Sequence, residues 1–354
     1  MQTTTFDPIV SIIIPCYNEA KHILPCLHSI ENQTMAMEHL DIILADDAST
    51  DATMAIIKDF ADRYPDSVTA LMQKDHAGMG ATKNLALSYA QGRYVMFVSG
   101  DDLLEKDACE RMVALAEKNG LDILQSAYRS IAPDGTESDI LGTSMFGAFD
   151  LSDVELRKEF LVREIMTLDC TGKLFRRDLL VRARSTFAEG VGYAETKFVY
   201  PLLLLAGKVG TSQLVSRTVH AKPAPVTENL WERNLWFMER PKFEIQMLFW
   251  LKQRPELFAT YKDEILYNFF QRFYFEPIMI AATTDAPITG YDYEWMRLTI
   301  LGELDGNRDN PYMNGGDLAI LISNLNHSFL DNDIALEDYL EKIRLTFAPD
   351  DAQR

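Results

Sequence analysis

The sequence is poor in cysteine, in basic charge and in long apolar runs, and each shortage removes a class of protein. Only Cys16, Cys26, Cys109 and Cys170 occur in 354 residues, with no C-x-x-C pair among them. That spacing excludes a disulfide framework or a zinc ribbon and predicts reduced thiols in a cytoplasmic chain. Lys and Arg number 34 against 53 Asp and Glu, a net charge of −19. A chain this acidic repels polyphosphate, so no nucleic-acid partner on a broad basic face is expected. Docking on anionic lipid through a basic patch is disfavoured on the same ground. No stretch reaches the ~18–20 consecutive apolar residues of a membrane-spanning helix. Residues 1–8 carry Asp7 and no Lys or Arg, and read as a tail rather than a signal peptide. No internal repeat is found.

What is present is enough for two domains, because single cores stop growing near roughly 250–300 residues. From Ile9 to about Leu124, short apolar runs alternate with amphipathic stretches. Ile9–Pro15, Leu40–Ala45, Val68–Met72 and Tyr94–Val98 read as strands. Glu19–Asn32, a stretch capped by Thr50 or Asp51, and Ala81–Ala90 read as the helices between them. Strands alternating with helices predict an α/β fold with a mainly parallel sheet. The segment from about Ile123 to His220 is harder to read: Ala132–Ser138 and Gly142–Asp150, rich in Gly, Ser and Asp, suggest loops, Val191–Ala206 reads as a loop entering a helix and Val209–Arg217 as a last strand. Past Pro223 the composition shifts: 21 of the 37 aromatic residues, including all four tryptophans, lie in the last 132 positions. The spacing in Phe243–Leu251 and Ile265–Phe275 predicts helices, with Pro241, Pro255 and Pro277 as breaks. The division expected is therefore a tail over 1–8, an α/β domain over 9–222 and an aromatic-rich helical domain over 223–354.

Two acidic pairs, Asp46-Asp47 and Asp101-Asp102, each follow an apolar strand, which places them at one edge of the sheet. Carboxylates converging there repel one another unless a cation or donor groups offset them. A Mg2+ or Mn2+ ion bridging a diphosphate to one or two carboxylates is the usual answer, although Asp also serves in turns and caps. Gly78-Met79-Gly80 is not a dinucleotide fingerprint, because Lys83 occupies the third glycine position and the motif does not follow the first strand. It reads instead as a flexible loop that brings Lys83 and Asn84, at a helix start, towards a ligand phosphate.

Four blocks in order and spacing carry a resemblance: Val10–Glu19 (VSIIIPCYNE), Ile42–Asp51 (IILADDASTD), Gly78–Asn84 (GMGATKN) and Ala90–Asp102 (AQGRYVMFVSGDD). Together they resemble the family-2 inverting glycosyltransferases of the GT-A fold, strongly to about residue 125 and more thinly to about 222. The resemblance implies that Pro15, Tyr17, Asn18 and Glu19 border a nucleotide-sugar donor, with Asp46 facing the base and Asp47 on the same side. Lys83 stands where such enzymes carry Arg near the diphosphate. Asp101 and Asp102 match the end of the metal-binding aspartate motif, with Ser99 in place of its first carboxylate. Lys173, in Thr171-Gly-Lys-Leu-Phe-Arg176, matches a lysine of the family, and His220 matches a distal metal or phosphate contact. The Glu-Asp pair that normally carries the general base matches Glu195-Thr196, so Glu195 is the expected base and Glu189 the next carboxylate in line.

The function implied is transfer of a sugar, most simply from a UDP-sugar, to a glycan or lipid-linked acceptor in bacterial surface polysaccharide synthesis. The aromatic domain is expected to form a packed helical core, to bind acceptor, or to mediate self-association or peripheral membrane contact at the inner face. Trp231–Lys242, with Arg233, Arg240 and Lys242, is the membrane candidate. The rival reading is a catalytically silent GT-A module that binds nucleotide sugar, suggested by Ser99 and Thr196. A nucleotidyltransferase would need a Gly-rich loop directly after the first strand, which Pro15-Cys-Tyr-Asn-Glu19 is not.

Overall fold

The computed structural model describes residues 7–190, 194–220, 230–283, 288–304, 309–313 and 333–347. The chain separates into two units, Met1–Val226 and Thr227–Arg354.

In the first unit, β1 (Val10–Cys16), β2 (Leu40–Asp46), β3 (Val68–Met72) and β4 (Tyr94–Phe97) run parallel in the order β3-β2-β1-β4. Every residue of β1, β2 and β4 is buried, the pattern of strands covered on both faces. The helices α1 (Ile23–Glu31), α2 (Thr53–Arg63) and α3 (Met79–Leu87) join them. Ile23, Cys26, Leu27 and Ile30 on α1, and Ile57 and Phe60 on α2, turn into the core at helical spacing. α1 starts four residues later than its apolar pattern suggests, because the Glu19 carbonyl accepts the His22 and Ile23 N–H groups in a preceding turn. At α2 the Asp51 carboxylate accepts the Thr53 N–H at 2.9 Å, so Asp51 supports that helix start.

The amino ends of these strands form a closed polar network. Ser11 Oγ donates to Asp41 Oδ2 at 2.6 Å, Gln91 N–H donates to the same oxygen at 2.9 Å, and Gly92 N–H donates to Ser11 Oγ at 2.8 Å. A Cβ at Gly92 would lie 2.4 Å from the Ser11 backbone nitrogen, so only glycine permits this approach.

The stretch that sequence periodicity left unread turns the sheet mixed. β5 (Leu103–Leu104) and α4 (Ala108–Asn119) lead to β6 (Ile123–Ile131), β7 (Glu137–Ile140), β8 (Gly147–Asp150) and α5 (Val154–Arg163). β9 (Lys173–Arg176) follows, then α6 (Arg177–Ala183), α7 (Ala194–Leu205) and β10 (Lys208–His220). β9 runs antiparallel to both of its neighbours, β4 and β6, and β10 returns parallel to β6. The order is β3-β2-β1-β4-β9-β6-β10-β5, with β7 on β6 and β8 on β10. Because β9 is reversed, its beginning, not its end, reaches the edge where β1, β2 and β4 finish.

The second unit is helical in its described residues: α8 (Leu230–Lys252), α9 (Pro255–Thr260), α10 (Lys262–Phe270), α11 (Glu276–Thr283), α12 (Gly290–Leu304) and α13 (Asp333–Phe347). A π-helical turn, Gln271–Phe275, joins α10 to α11. Pro255 opens a helix, as its fixed φ favours. Pro241 lies inside α8 without ending it, and Pro277 is the second residue of α11, directly after the π-helical turn. Phe243, Phe269, Phe270, Phe273, Tyr274 and Tyr293 are buried, whereas Phe249 is 64% and Tyr291 76% exposed. The side chains of Trp231, Arg233 and Trp236 lie outside the described residues, and Arg240 pairs with Glu276. Among the described residues no helix is long and apolar enough to cross a membrane.

Candidate active site

The polar loops after β1, β2 and β4 and the beginning of β9 meet at one edge. Beyond β1, with Pro15 buried in the strand, Asn18 adopts a left-handed conformation at φ 54°. Its Oδ1 accepts the Thr50 N–H at 2.9 Å, and its own N–H donates to Ser49 Oγ at 2.8 Å. The Glu19 N–H donates to Thr53 Oγ1 at 2.8 Å. These bonds tie the loop after β1 to the loop after β2. Tyr17 is exposed at their rim, its ring 4.2 Å from the His76 ring.

The two aspartates ending β2 are wired differently. Asp47, fully buried, accepts the Ala77 and Gly78 N–H groups at 2.8 Å each, Gln73 Nε2 at 3.2 Å, and faces His76 Nδ1 at 3.0 Å. It therefore pins the 74–78 loop and fixes Gly78 at φ +89°, so the loop is held and not free as its glycines suggested. Asp46 is equally buried, with Oδ2 accepting the Ser49 N–H at 3.0 Å, yet its Oδ1 has no partner among the described residues. A buried carboxylate oxygen left unpaired is costly and marks a place for a donor from outside the chain.

Lys83 and Glu195, 112 positions apart, form an ion pair. Glu195 Oε2 also accepts the Cys170 N–H at 3.0 Å, and Cys170 Sγ lies 3.6 Å from Lys83 Nζ. Burial opposes charge on both partners, but Glu195 and Cys170 outweigh it at Lys83 and raise that pKa. At Glu195 burial is likewise outweighed, by Lys83 and the Cys170 N–H, and the carboxyl is held below its ordinary range. Thr196, next to it, is buried. Glu189 is exposed and accepts from Asn84 Nδ2 at 2.9 Å.

At the end of β4, Asp102 is buried and its Oδ2 accepts Arg217 Nη1 at 2.6 Å. Arg217 Nη2 donates to Thr171 Oγ1 at 3.1 Å, and the guanidinium stacks over Tyr128. Asp101 is half-buried beside it. Among the described residues no three His, Cys, Asp or Glu side chains gather into a metal cage. With Ser99 lacking a carboxylate and Asp102 shared with Arg217, the donor set fits a divalent ion only if substrate phosphates and water complete its shell, the usual Mg2+ mode. His220 lies exposed at the far end of β10, three residues beyond the arginine that enters this site.

Lys173 is fully buried at the start of β9, where its ammonium pairs with Asp169 and donates to Thr167 Oγ1 at 2.7 Å. The segment Asp169–Lys173 thus touches both ion pairs of this edge: Cys170 reaches Glu195 and Lys83, and Thr171 reaches Arg217. Asp169, Cys170 and Arg217 were not singled out from sequence. The available signals were an arginine within the last strand, and an acid two residues before the Thr171–Lys173 block.

A family model described as Glycosyl transferase family 2 matches residues 11–182. The poly(ribitol-phosphate) beta-glucosyltransferase of Bacillus spizizenii is 33% identical over 204 residues, covering 57% of this chain and 31% of that protein. The poly(ribitol-phosphate) beta-N-acetylglucosaminyltransferase TarS of Staphylococcus aureus is 29% identical over 139 residues, 36% of this chain and 24% of that one. The chain therefore spans a third or less of the length of these two relatives. The crystal structure of S. aureus TarS 1–349 in complex with UDP-GlcNAc superposes with TM-score 0.66 at 16% identity, covering 94% of this chain and 92% of that one. With the parallel β3-β2-β1-β4 core, the reversed β9 and the polar loops gathered at one edge, residues 11–182 match the family-2 glycosyltransferase model and take a GT-A-like fold.

Proposed function

We propose that this protein transfers a sugar, with inversion, from a UDP-sugar to a hydroxyl of a glycan or polyol-phosphate chain destined for the bacterial surface. The observation that carries the reading is one sheet edge presenting an unsatisfied buried carboxylate oxygen on Asp46 together with two buried cations, Lys83 and Arg217. Asp46 Oδ1 suits the imino N–H of a uracil ring, with Tyr17 offering a face for it to stack on. Lys83 and Arg217 suit the diphosphate and would offset the charge that grows on it as the sugar departs. The relatives support the acceptor class, since both named above act on poly(ribitol-phosphate).

Asp101 and Asp102 are the residues that would hold a divalent ion, which would supply further charge neutralisation at the departing diphosphate. A carboxylate on this edge would remove the acceptor proton, an effect worth about 10²–10⁴ in rate. We place acceptor preference or self-association in the helical unit, whose exposed Phe249, Tyr291 and Trp295 offer rings to a sugar or a partner.

The test is a panel of nucleotide sugars with Mn2+ or Mg2+, assayed for free nucleoside diphosphate. Turnover of one UDP-sugar, with diphosphate and not pyrophosphate released, supports the reading. Binding of a donor with no turnover against water or a range of polyol and glycan acceptors would replace it with a silent binding module.

A further inference from the structure

Within the proposed transfer reaction, the identity of the proton acceptor follows from which carboxylate has an oxygen to spare. The position where the family motif carries its aspartate is Thr196 here, and it is buried. Glu195, beside it, has both oxygens engaged, Oε1 by Lys83 and Oε2 by the Cys170 N–H at 3.0 Å. Glu189 lies further out and is tied to Asn84. Asp169 is arranged otherwise. Its Oδ1 takes both local donors, the Lys173 ammonium and Thr167 Oγ1 at 2.6 Å, while Oδ2 accepts from no group among the described residues and the side chain is 45% exposed.

The support behind Asp169 is rigid. Lys173 is 0% exposed, and Gln125 Oε1 fixes Thr167 by accepting its backbone N–H at 2.9 Å, which leaves the hydroxyl for Asp169. A carboxylate held on one oxygen by a buried chain of donors, with the other facing outward, is the geometry of an oriented base. Its neighbours along the chain place it between the two cations: Cys170 joins the Lys83–Glu195 pair and Thr171 joins the Arg217–Asp102 pair.

We propose that Asp169 is the general base and that Glu195 is a positioning residue that holds Lys83. This assignment rests on the transfer reaction proposed above. In the step, the acceptor O–H bond breaks and its proton passes to Asp169 Oδ2, while the acceptor oxygen bonds to the anomeric carbon. The bond from that carbon to the β-phosphate oxygen breaks, and its electron pair leaves with the nucleoside diphosphate. Asp169 then returns the proton to solvent. Lys173 and Arg217 keep the carboxylate ionised before the step: burial pushes its pKa up, but Lys173, Thr167 and Arg217 outweigh burial and lower it.

The experiment measures nucleoside diphosphate release from the UDP-sugar that the wild type turns over, first with water and then with azide as acceptor. Azide is already an anion and needs no base. Asp169→Asn is expected to cut the water reaction about a hundredfold or more, with UDP-sugar affinity by calorimetry unchanged within about threefold and azide restoring release at least about tenfold. Glu195→Gln is expected to weaken donor binding and to show no azide rescue. Because Asp169→Asn leaves Lys173 without its counter-charge, the double variant Asp169→Asn/Lys173→Met is run beside it and is expected to show the same rescue. Asp169→Asn retaining more than about a tenth of wild-type turnover, or azide rescue appearing in Glu195→Gln instead, overturns the assignment while leaving the transferase intact. A wild type that releases no diphosphate from any donor overturns the transferase reading, and this assignment with it.

Discussion

Two aspartates five residues apart on β2, equally buried, do opposite things. Asp41, at the amino end, is closed into the Ser11–Gln91–Gly92 network, and its Oδ2 accepts twice. Asp46, at the carboxyl end, keeps a buried oxygen with no partner among the described residues. The difference is not burial or residue type but what the chain offers nearby. The close approach at Gly92 brings the Gln91 N–H and the Ser11 hydroxyl onto Asp41, while the loops after β1 and β2 bond chiefly to each other around Asp46 and leave one oxygen over. One end of the same strands closes its polar groups into the sheet, and the other leaves one buried acceptor over, which the proposed function gives to the donor.

The comparison breaks most sharply at Gly92. Gly92→Ala would drive a Cβ within 2.4 Å of the Ser11 nitrogen and 2.7 Å of the Val10 carbonyl carbon. A loss of about 3 kcal/mol or more is expected by urea titration, because backbone has to move to relieve it. Asp41→Ala strands the Ser11 hydroxyl and the Gln91 N–H and is expected to cost about 2–3 kcal/mol, with the UDP-sugar Kd unchanged. Asp46→Ala sharpens the contrast from the other side. The change removes the orphaned oxygen together with the acceptor of the half-buried Ser49 N–H, so a loss of only about 1 kcal/mol is expected, while UDP-sugar affinity drops about ten- to a hundredfold. A loss of stability at Asp46 as large as at Asp41 would erase the distinction between the two ends.

Acid gives a smaller effect confined to the carboxyl end. The folded carboxyls of Glu195 and Asp169 lie below their unfolded values of about 4.3 and 3.9. Their contribution to stability is complete above those values and disappears as pH falls through the folded pKa. Lys83 has the opposite sign: raised above about 10.4, it contributes below that value and is lost as pH rises through its folded pKa. Melting temperature by circular dichroism is expected to be flat from about pH 5 to 9, falling on both sides, with Glu195→Gln/Lys83→Met flattening both falls. The smallest effect concerns the thiols. Burial pushes Cys109 up to about 12 and raises Cys16, Cys26 and Cys170 as well. An alkylating reagent at about pH 7.5 is expected to leave the native mass unchanged and to label the chain only in urea.

The parallel half of the first unit was legible because its strands are unbroken apolar runs, each followed by a polar loop and an amphipathic helix. Val68–Met72 matches its strand to the residue, the strand starts at Leu40 and Tyr94 match as well, and the remaining boundaries move by one to four positions. Residues 123–195 were not legible. β7 is exposed along its whole length and β8 nearly so, which leaves no alternation to find, and β9 pairs with strands about 50–80 positions away. In the site, the residue types on the edge could be named one at a time: Asp46, Asp47, Lys83, Asp102, Lys173 and Glu195. Their pairings could not, because Lys83 meets Glu195 and Asp102 meets Arg217 only through sheet order. The acidity of the β2 end suggested two ligand-facing carboxylates, but turn donors from residues 77 and 78 absorb Asp47 entirely.

β9 is only four residues long, yet its register decides what this sheet edge contains. Held between β4 and β6, it fixes which of residues 169–173 faces which cation. A slip of one position would turn every side chain to the opposite face, taking Thr171 from Arg217 and Cys170 from Lys83 at once. The loops between β6 and α5 can therefore lengthen or shorten without moving the site. A single insertion between Asp169 and Arg176 would dismantle it while leaving the rest of the sheet in place.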